Sequence, residues 1–326
     1  MLVGITYDLK SDYIAEGYTE EEVAEFDNID TIEGIENALH KNGYETDRIG
    51  NVKSLINKIL SGKKWDIVFN ICEGLNGIGR EAQVPAILDI YNIPYIFSDV
   101  MVLSLTLHKG MTKRAIRDLG IPTPDFAIIE NEDDIKKINL PYPLFAKPIA
   151  EGTGKGISPT SKINNFEELK SASISRLKEF KQPVLIETFL PGREFTVGIV
   201  GTSQEAKPVG IMEVCYRDNE KSKIYSYHNK SNYKDFINYS VPEKKIIDMC
   251  YDIALKSWIG IGCRDAGRID LRLDSNGIPN FIEVNPLAGL NPVHSDLPIL
   301  SYKAGLNYND LIKMIMDSAI KRINRF

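Results

Sequence analysis

Apolar and polar residues recur along this chain with two periods. Short apolar runs, LVGIT at 2–6 and WDIVFNI at 65–71, read as buried strands. Between them Ile32, Ile35 and Leu39 share one face, predicting a helix over about 31–42 that Thr31 caps and Gly43 ends. A further helix is predicted over about 80–91, then a strand at IPYIF, 93–97. Strands alternating with helices predict an α/β unit, a doubly wound parallel sheet. Residues 8–30 are acidic and aromatic with no clear period and read as a long loop, a length that is often functional.

The pattern changes near residue 102. LHKGMTKRAIRDLG reads as a helix stopping at Gly120, before Pro122 and Pro124. PLFAKP (143–148) is a strand running into the glycine-rich EGTGKGIS, NNFEELKSA a helix, and PVLIETFL (183–190) a strand. From PGREFTVGIVG onward come a hairpin at 267–285 and a last helix from about 307. Three units are expected, 1–101, 102–190 and 191–326, with α+β character in the last two.

Composition narrows the class. With 43% hydrophobic and 26% charged residues over 326 positions, a sizeable core can form. A net charge of −6, with no Lys/Arg cluster, gives no electrostatic case for nucleic acid. No run approaches the roughly 18 apolar residues of a membrane span, and the opening MLVGITYDLK is a first strand, not a signal peptide. Cys72, Cys215, Cys250 and Cys263 form no CxxC pair, which fits a reducing cytoplasm.

Chemistry concentrates in GRIDLRLDSNGIPNFIEVN. Residues two apart in a strand share a face, so Arg268, Asp270 and Arg272 point one way and Ile269, Leu271 and Leu273 the other. Glu283 and Asn285 share a face opposite Ile282 and Val284. Folded about Asp274–Gly277, the hairpin sets Asp270 across from Glu283 and Arg268 across from Asn285. Facing carboxylates repel, and a hard divalent cation such as Mg²⁺, completed by phosphate oxygens and water, would offset them. An exposed hairpin with a solvated acidic face would show the same alternation.

Two other segments carry weaker signals. Gly152, Gly154 and Gly156 free the backbone after Lys147 to bring N–H groups to an anion, although the loop is neither a Walker A loop nor GxGxxG, and a plain surface turn would read alike. In LIETFLPGREF, Glu187 and Glu194 could accept from a ribose or an adenine amino group, and the backbone of Phe189 and Leu190 could read an adenine edge. A strand, a turn and two solvated acids would look the same.

The order HKGMTKR, FAKP, EGTGKGIS, IETFLPGREFTVGI, GCRDAGRIDLRLD, IEVNPLAGLNPVHSDLP resembles that of the D-alanine–D-alanine ligases, over nearly the whole chain from about residue 65. The resemblance implies a two-part ATP-grasp module following the N-terminal parallel-sheet domain, and a ligase making an acyl phosphate from ATP before an amine attacks it. It implies that Lys109, Lys147 and the loop Glu151, Gly152, Thr153, Gly154 and Gly156 hold ATP phosphates. Glu187, Phe189, Leu190 and Glu194 would hold the adenosine. Asp270, Glu283 and Asn285 would bind two Mg²⁺, or Mn²⁺. Arg268 and the Gly289 N–H match oxyanion donors, Lys230 a mobile-loop lysine, and Ser295 a residue holding the second substrate's carboxylate. Amino-acid substrates and a homodimer are typical of the family.

The departures cluster at the amino-acid pockets. The N-terminal substrate motif is replaced by YDLKSDYIAEGYTEEEVAEFDNIDT, where Glu25 takes the place of the usual glutamate. A His-Gly becomes Glu73-Gly74, and the paired serines of the phosphate loop become Thr153-Gly154, with Lys155 added. Ser-Pro-Gly-Met-Thr becomes Pro286-Leu287-Ala288-Gly289-Leu290, with one extra residue before Ser295. A D-alanine–D-alanine ligase or close dipeptide-making relative and a ligase for another pair such as L-amino acids both fit these residues, whereas a non-catalytic ATP-binding protein would not need the oxyanion donor Arg268 beside Asp270, Glu283 and Asn285.

Overall fold

The computed structural model describes residues 1–216 and 237–324. At the N-terminus β1 (Leu2–Tyr7), β2 (Glu45–Gly50) and β3 (Ile67–Ile71) form a parallel sheet in the order β2-β1-β3. Helices cover both faces, as the alternation predicts. Ile32, Ile35 and Leu39 of helix Ile29–Lys41 join the core of Val3, Ile5 and Phe69 on one side. Leu55, Val84 and Leu88 pack with Val68 on the other.

Three local expectations are corrected. Residues 8–30 are not an open loop: helix Lys10–Ala15 and a bridge between Leu9 and Asp27 order them, and Val23 and Phe26 are buried. Helix Ile29–Lys41 starts earlier than expected, with Asn28 at its cap; Thr31 lies buried in the first turn and accepts from Asn291 Nδ2 at 3.0 Å. IPYIF contributes only a bridge from Tyr95 to Val68, because Phe97 turns to φ 78° and donates its N–H to Asp265 Oδ2 at 2.9 Å.

The chain then breaks at His108 into helices Val100–Leu107 and Lys109–Asp118, where one was expected; the His108 ring caps the second by accepting from Met111 N. Next, β4 (Phe126–Ile129), β5 (Leu144–Pro148), β6 (Lys162–Ile163) and β7 (Val184–Thr188) make an antiparallel sheet, β4-β7-β5-β6, backed by helix Phe166–Phe180.

The largest sheet is antiparallel, in the order β10-β9-β8-β11-β12. Its strands are β8 (Glu194–Val200), β9 (Lys207–Tyr216), β10 (Ile237–Ser240), β11 (Ala266–Leu273) and β12 (Pro279–Asn285). Helix Lys244–Ile261 covers one face through the fully buried Trp258. Helix Tyr308–Ile323 returns to the N-terminal unit, where Leu311, Ile315 and Met316 share one core with Ile32, Ile35 and Leu39. No helix among the described residues is long and apolar enough to cross a membrane.

Candidate active site

The hairpin has the register its turn predicts: Asp270 pairs with Glu283 and Arg268 with Asn285. A bulge follows, so Leu271 pairs with Phe281 and Ile282 is the extra residue. Ile282 therefore lines the cleft beside Glu283, where strict alternation had placed it on the opposite face, while Phe281 and Val284 enter the core. Cations offset the facing carboxylates. Arg268 Nη1 donates to Asp270 Oδ2 at 2.9 Å, and Lys109 Nζ stands 3.6 Å from Glu283 Oε2. Thr196 Oγ1 and Asn285 Nδ2 also donate to Asp270, at 2.9 and 3.3 Å.

The donor set suits a hard cation that takes only a minority of its ligands from protein. No group of three or more His, Cys, Asp or Glu side chains among the described residues could hold a metal alone. Two carboxylates and an amide from the paired strands β11 and β12 fit Mg²⁺ completed by phosphate and water.

Between the two antiparallel sheets lies a cleft of about 110 Å³, lined by Phe145, Phe189, Leu190, Ile157 and Ile282. Lys147 projects into it from β5, and Lys147 and Lys113 grip Glu187 at 2.9 and 2.6 Å. Lys113 is 0% and Glu187 3% exposed. Burial pushes Lys113 down to about 8, with Glu187 opposing it; burial pushes Glu187 up, and the two ammoniums overcome it to hold the carboxyl low. Phe189 N–H already donates to Pro143 O at 3.0 Å, so this amide does not read a base edge; the Phe189 ring lines the cleft, with Arg272 and Lys162 over it. Glu194 pairs with Arg272 at 3.1 Å.

The phosphate loop is tied down at several points. Glu151 O accepts from Lys109 Nζ at 2.6 Å, and the Glu151 carboxylate meets Gln182 Nε2 at 2.6 Å and Lys155 Nζ at 2.7 Å. Thr153 and Gly154 adopt φ 50° and 78°. At Gly156, φ is 72° and a Cβ would come within 2.5 Å of Pro148, so glycine is required twice over. Glu25, expected at the substrate, lines the larger cavity with both oxygens engaged: its Oε1 accepts from Gly152 N and its Oε2 from Arg80, each at 2.7 Å. Arg80 also donates to Ala150 O at 2.9 Å.

Beyond the loop is a larger cavity of about 700 Å³. Lys109, Gly152, Ser295 and Gly289 line it, with Glu73 and Glu81 on its wall. Ser295 Oγ accepts from Asn291 N at 3.0 Å. Thr153, Arg268 and Glu283 line both this cavity and the cleft, so the two meet at the hairpin. Burial pushes Glu73 well up, with Glu81 adding to it, and pushes Glu81 up to about 7.

All the expected residues but three line one or both cavities; Glu151 and Gly156 stand in the phosphate loop without lining either, and Lys230 lies outside the described residues. Sequence reading missed Lys113, Arg80, Glu81 and Asp296. Lys113 had a signal, standing four residues after Lys109 on the same helix face; Arg80-Glu81 is a charged pair opening a predicted helix.

The family described as D-ala D-ala ligase C-terminus matches residues 115–317. A D-alanine–D-alanine ligase of Aquifex aeolicus is 31% identical over 89% of this chain and 94% of its own. An uncharacterized protein, y4sG, of Sinorhizobium fredii is 30% identical over 78% of this chain and 75% of its own. The D-alanine–D-alanine ligase of Bacillus anthracis complexed with ATP has the same fold, with a TM-score of 0.76 over 100% of this chain and 99% of that one at 23% identity.

Proposed function

The chain belongs to the D-alanine–D-alanine ligase family, and from that premise we propose that it is an ATP-dependent, ADP-forming ligase that joins two amino acids, with D-alanine the first substrate to test. The observation that carries this reading is the shared wall of the two cavities: Arg268, Glu283 and Thr153 border both. A nucleotide in the cleft would present its γ-phosphate there to a carboxylate in the larger cavity.

In the first step a carboxylate oxygen of one amino acid bonds to the γ-phosphorus, and the bond from that phosphorus to ADP breaks. In the second, the amine of the other bonds to the acyl carbon, phosphate leaves, and the amine proton is released. Arg268 and the Gly289 N–H stabilise the developing oxyanion, and Ser295 holds the second carboxylate. Lys109 and Lys147 face the phosphates, and Phe189, Leu190, Glu187 and Glu194 surround the adenosine. Asp270, Glu283 and Asn285 would hold two Mg²⁺, which neutralise phosphate charge. The four free cysteines support a reducing cytoplasm as the setting.

The test is phosphate release from Mg-ATP with D-alanine, then with D- and L-amino acids singly and in pairs, with products identified by mass spectrometry. Dipeptide and phosphate in equal amounts support the reading. ATP binding without release across the panel would sink it.

A further inference from the structure

Glu25 occupies the position where the resemblance expects a substrate-binding carboxylate, yet both its oxygens are engaged. Arg80 and the Gly152 N–H hold them at 2.7 Å each, and the Glu25 and Arg80 side chains are each only 9% exposed. Burial pushes the Glu25 carboxyl up, and Arg80 overcomes this and holds it below the usual range. This carboxylate straps the N-terminal unit to the phosphate loop.

The other charges of the larger cavity can be followed one by one. Lys109 stands by Glu283 at 3.6 Å, and Arg268 by Asp296 at 3.1 Å and Asp270 at 2.9 Å. Asp27 and Lys10 also line the wall; burial raises the Asp27 carboxyl to about 7, against a hydrogen bond with Thr31 and the weaker pull of Lys10. Glu73 and Glu81 remain. Both line the cavity, and neither has a hydrogen bond or ion pair among the described residues. Glu73 faces Glu81, Glu25 and Asp27, with only Arg80 in opposition. Glu81 faces Arg80, Glu25 and Lys109. Arg80, already paired with Glu25, and Lys109 act on them without direct contact, and two carboxylates that no cation touches are costly unless one arrives with the ligand.

Resting on the ligase reading, we propose that Glu73 and Glu81 are the counter-ion of the substrate's ammonium group, and that Glu25 is a positioning residue for the phosphate loop. The substrate class is then an acid that carries an amine; a hydroxy acid of the same skeleton lacks the group these carboxylates receive. The raised proton affinity of both carboxyls agrees with this, because an ammonium seated between them would favour the ionised state.

The experiment measures binding and turnover separately. Calorimetry with the full chain, Mg²⁺ and a non-hydrolysable ATP analogue titrates D-alanine, L-alanine, D-lysine, L-lysine and D-lactate into the natural protein and into Glu73→Gln, Glu81→Gln, Glu81→Asp and Glu25→Gln. Thermal melts establish that each variant folds. Phosphate release gives KM for the amino acid and for ATP. Glu81→Gln and Glu73→Gln should weaken amino-acid binding about tenfold or more, the worth of a charge-assisted hydrogen bond. Glu81→Asp should recover part of it, and D-lactate should not bind. Glu25→Gln should act chiefly on the KM for ATP. Amino-acid affinity lost more in Glu25→Gln than in Glu81→Gln, or D-lactate bound as well as D-alanine, would overturn the proposal, as would no binding by any amino acid. Binding that depends on Glu81 without phosphate release would leave the subsite standing and remove the ligase reading; release with a KM indifferent to Glu73 and Glu81 would do the reverse.

Discussion

Arg268 Nη1 stands 3.1 Å from Asp296 Oδ2, joining the metal-face strand β11 to the first turn of helix Asp296–Lys303. The same guanidinium nitrogen reaches Asp270 at 2.9 Å. Asp296 is 5% exposed, so its charge acts in a poorly screened place. The pair fixes Arg268 between two anions, aimed at the junction of the two cavities. Replacing Asp296 with Asn removes one of them and lets the guanidinium swing toward Asp270. Turnover should fall by about tenfold with the KM for ATP little changed, whereas Arg268→Ala should lose about 10²–10³ in kcat, the usual cost of a lost oxyanion donor. Steady-state phosphate release measures both, and unchanged kcat in Asp296→Asn would mean that Asp270 alone positions the arginine.

The Arg80–Glu25 strap allows a stability test that needs no substrate. Removing one member leaves a buried charge and should cost about 3–5 kcal/mol. Removing both leaves none. Arg80→Met and Glu25→Gln should therefore each lower the denaturation midpoint, while the double variant should be more stable than the sum of the two losses implies. Strict additivity in urea unfolding would show that the two side chains do not depend on each other.

Local pattern made the hairpin legible and left its surroundings obscure. Period-two alternation and an Asp-Ser-Asn-Gly turn are enough to put Asp270 opposite Glu283. The bulge at Ile282 is not readable in the same way, because it arises from Phe281 and Val284 both packing into the core under helix Lys244–Ile261. Glu25 was found as a residue but its contact with Gly152 was not, since Gly152 lies 127 positions away and nothing local announces it. Lys113 was passed over because lysine is rarely buried. Its burial depends on Glu187, which comes from strand β7 and not from its own helix. Strands β1 and β3 were readable from apolar runs, β2 with its polar sequence ETDRIG was not, and Phe97 left the sheet for a single hydrogen bond to the distant Asp265.

Glu187 holds two buried ammoniums at once, so Glu187→Gln should be among the most damaging isosteric changes in the molecule, on the order of 3–5 kcal/mol at pH 7. Its cost should depend on pH. Lys113 in the folded protein titrates at about 8, below its ordinary 10.5. Between those values the unfolded chain binds the proton and the folded one does not, so this group's contribution to stability rises with pH across the window. Without Glu187 the Lys113 ammonium is held still less well, so the penalty should be largest below pH 8 and shrink above it. Melts of the natural protein, Glu187→Gln and Lys113→Met between pH 6.5 and 10 would measure this; a penalty constant over that range would remove Lys113 from the account.

Glu81 gives the opposite sign in a lower window. Its carboxyl titrates at about 7 in the folded protein against an ordinary 4.5, chiefly because burial disfavours the charged form. Between those values the folded state keeps a proton that the unfolded chain has released, so stability falls as pH rises through the window. Glu81→Gln cannot ionise and escapes that loss. The variant should match the natural protein near pH 4 and exceed it by about 3 kcal/mol at pH 8. Adding D-alanine with Mg²⁺ and a non-hydrolysable ATP analogue should narrow the difference, because a seated ammonium stabilises the ionised glutamate and offers nothing comparable to the glutamine. Differential scanning calorimetry at both pH values, with and without those additions, reads each part. A variant less stable than the natural protein at pH 8 without additions would mean that Glu81 already has a counter-ion, and with it the reason for assigning this carboxylate to a substrate would be gone.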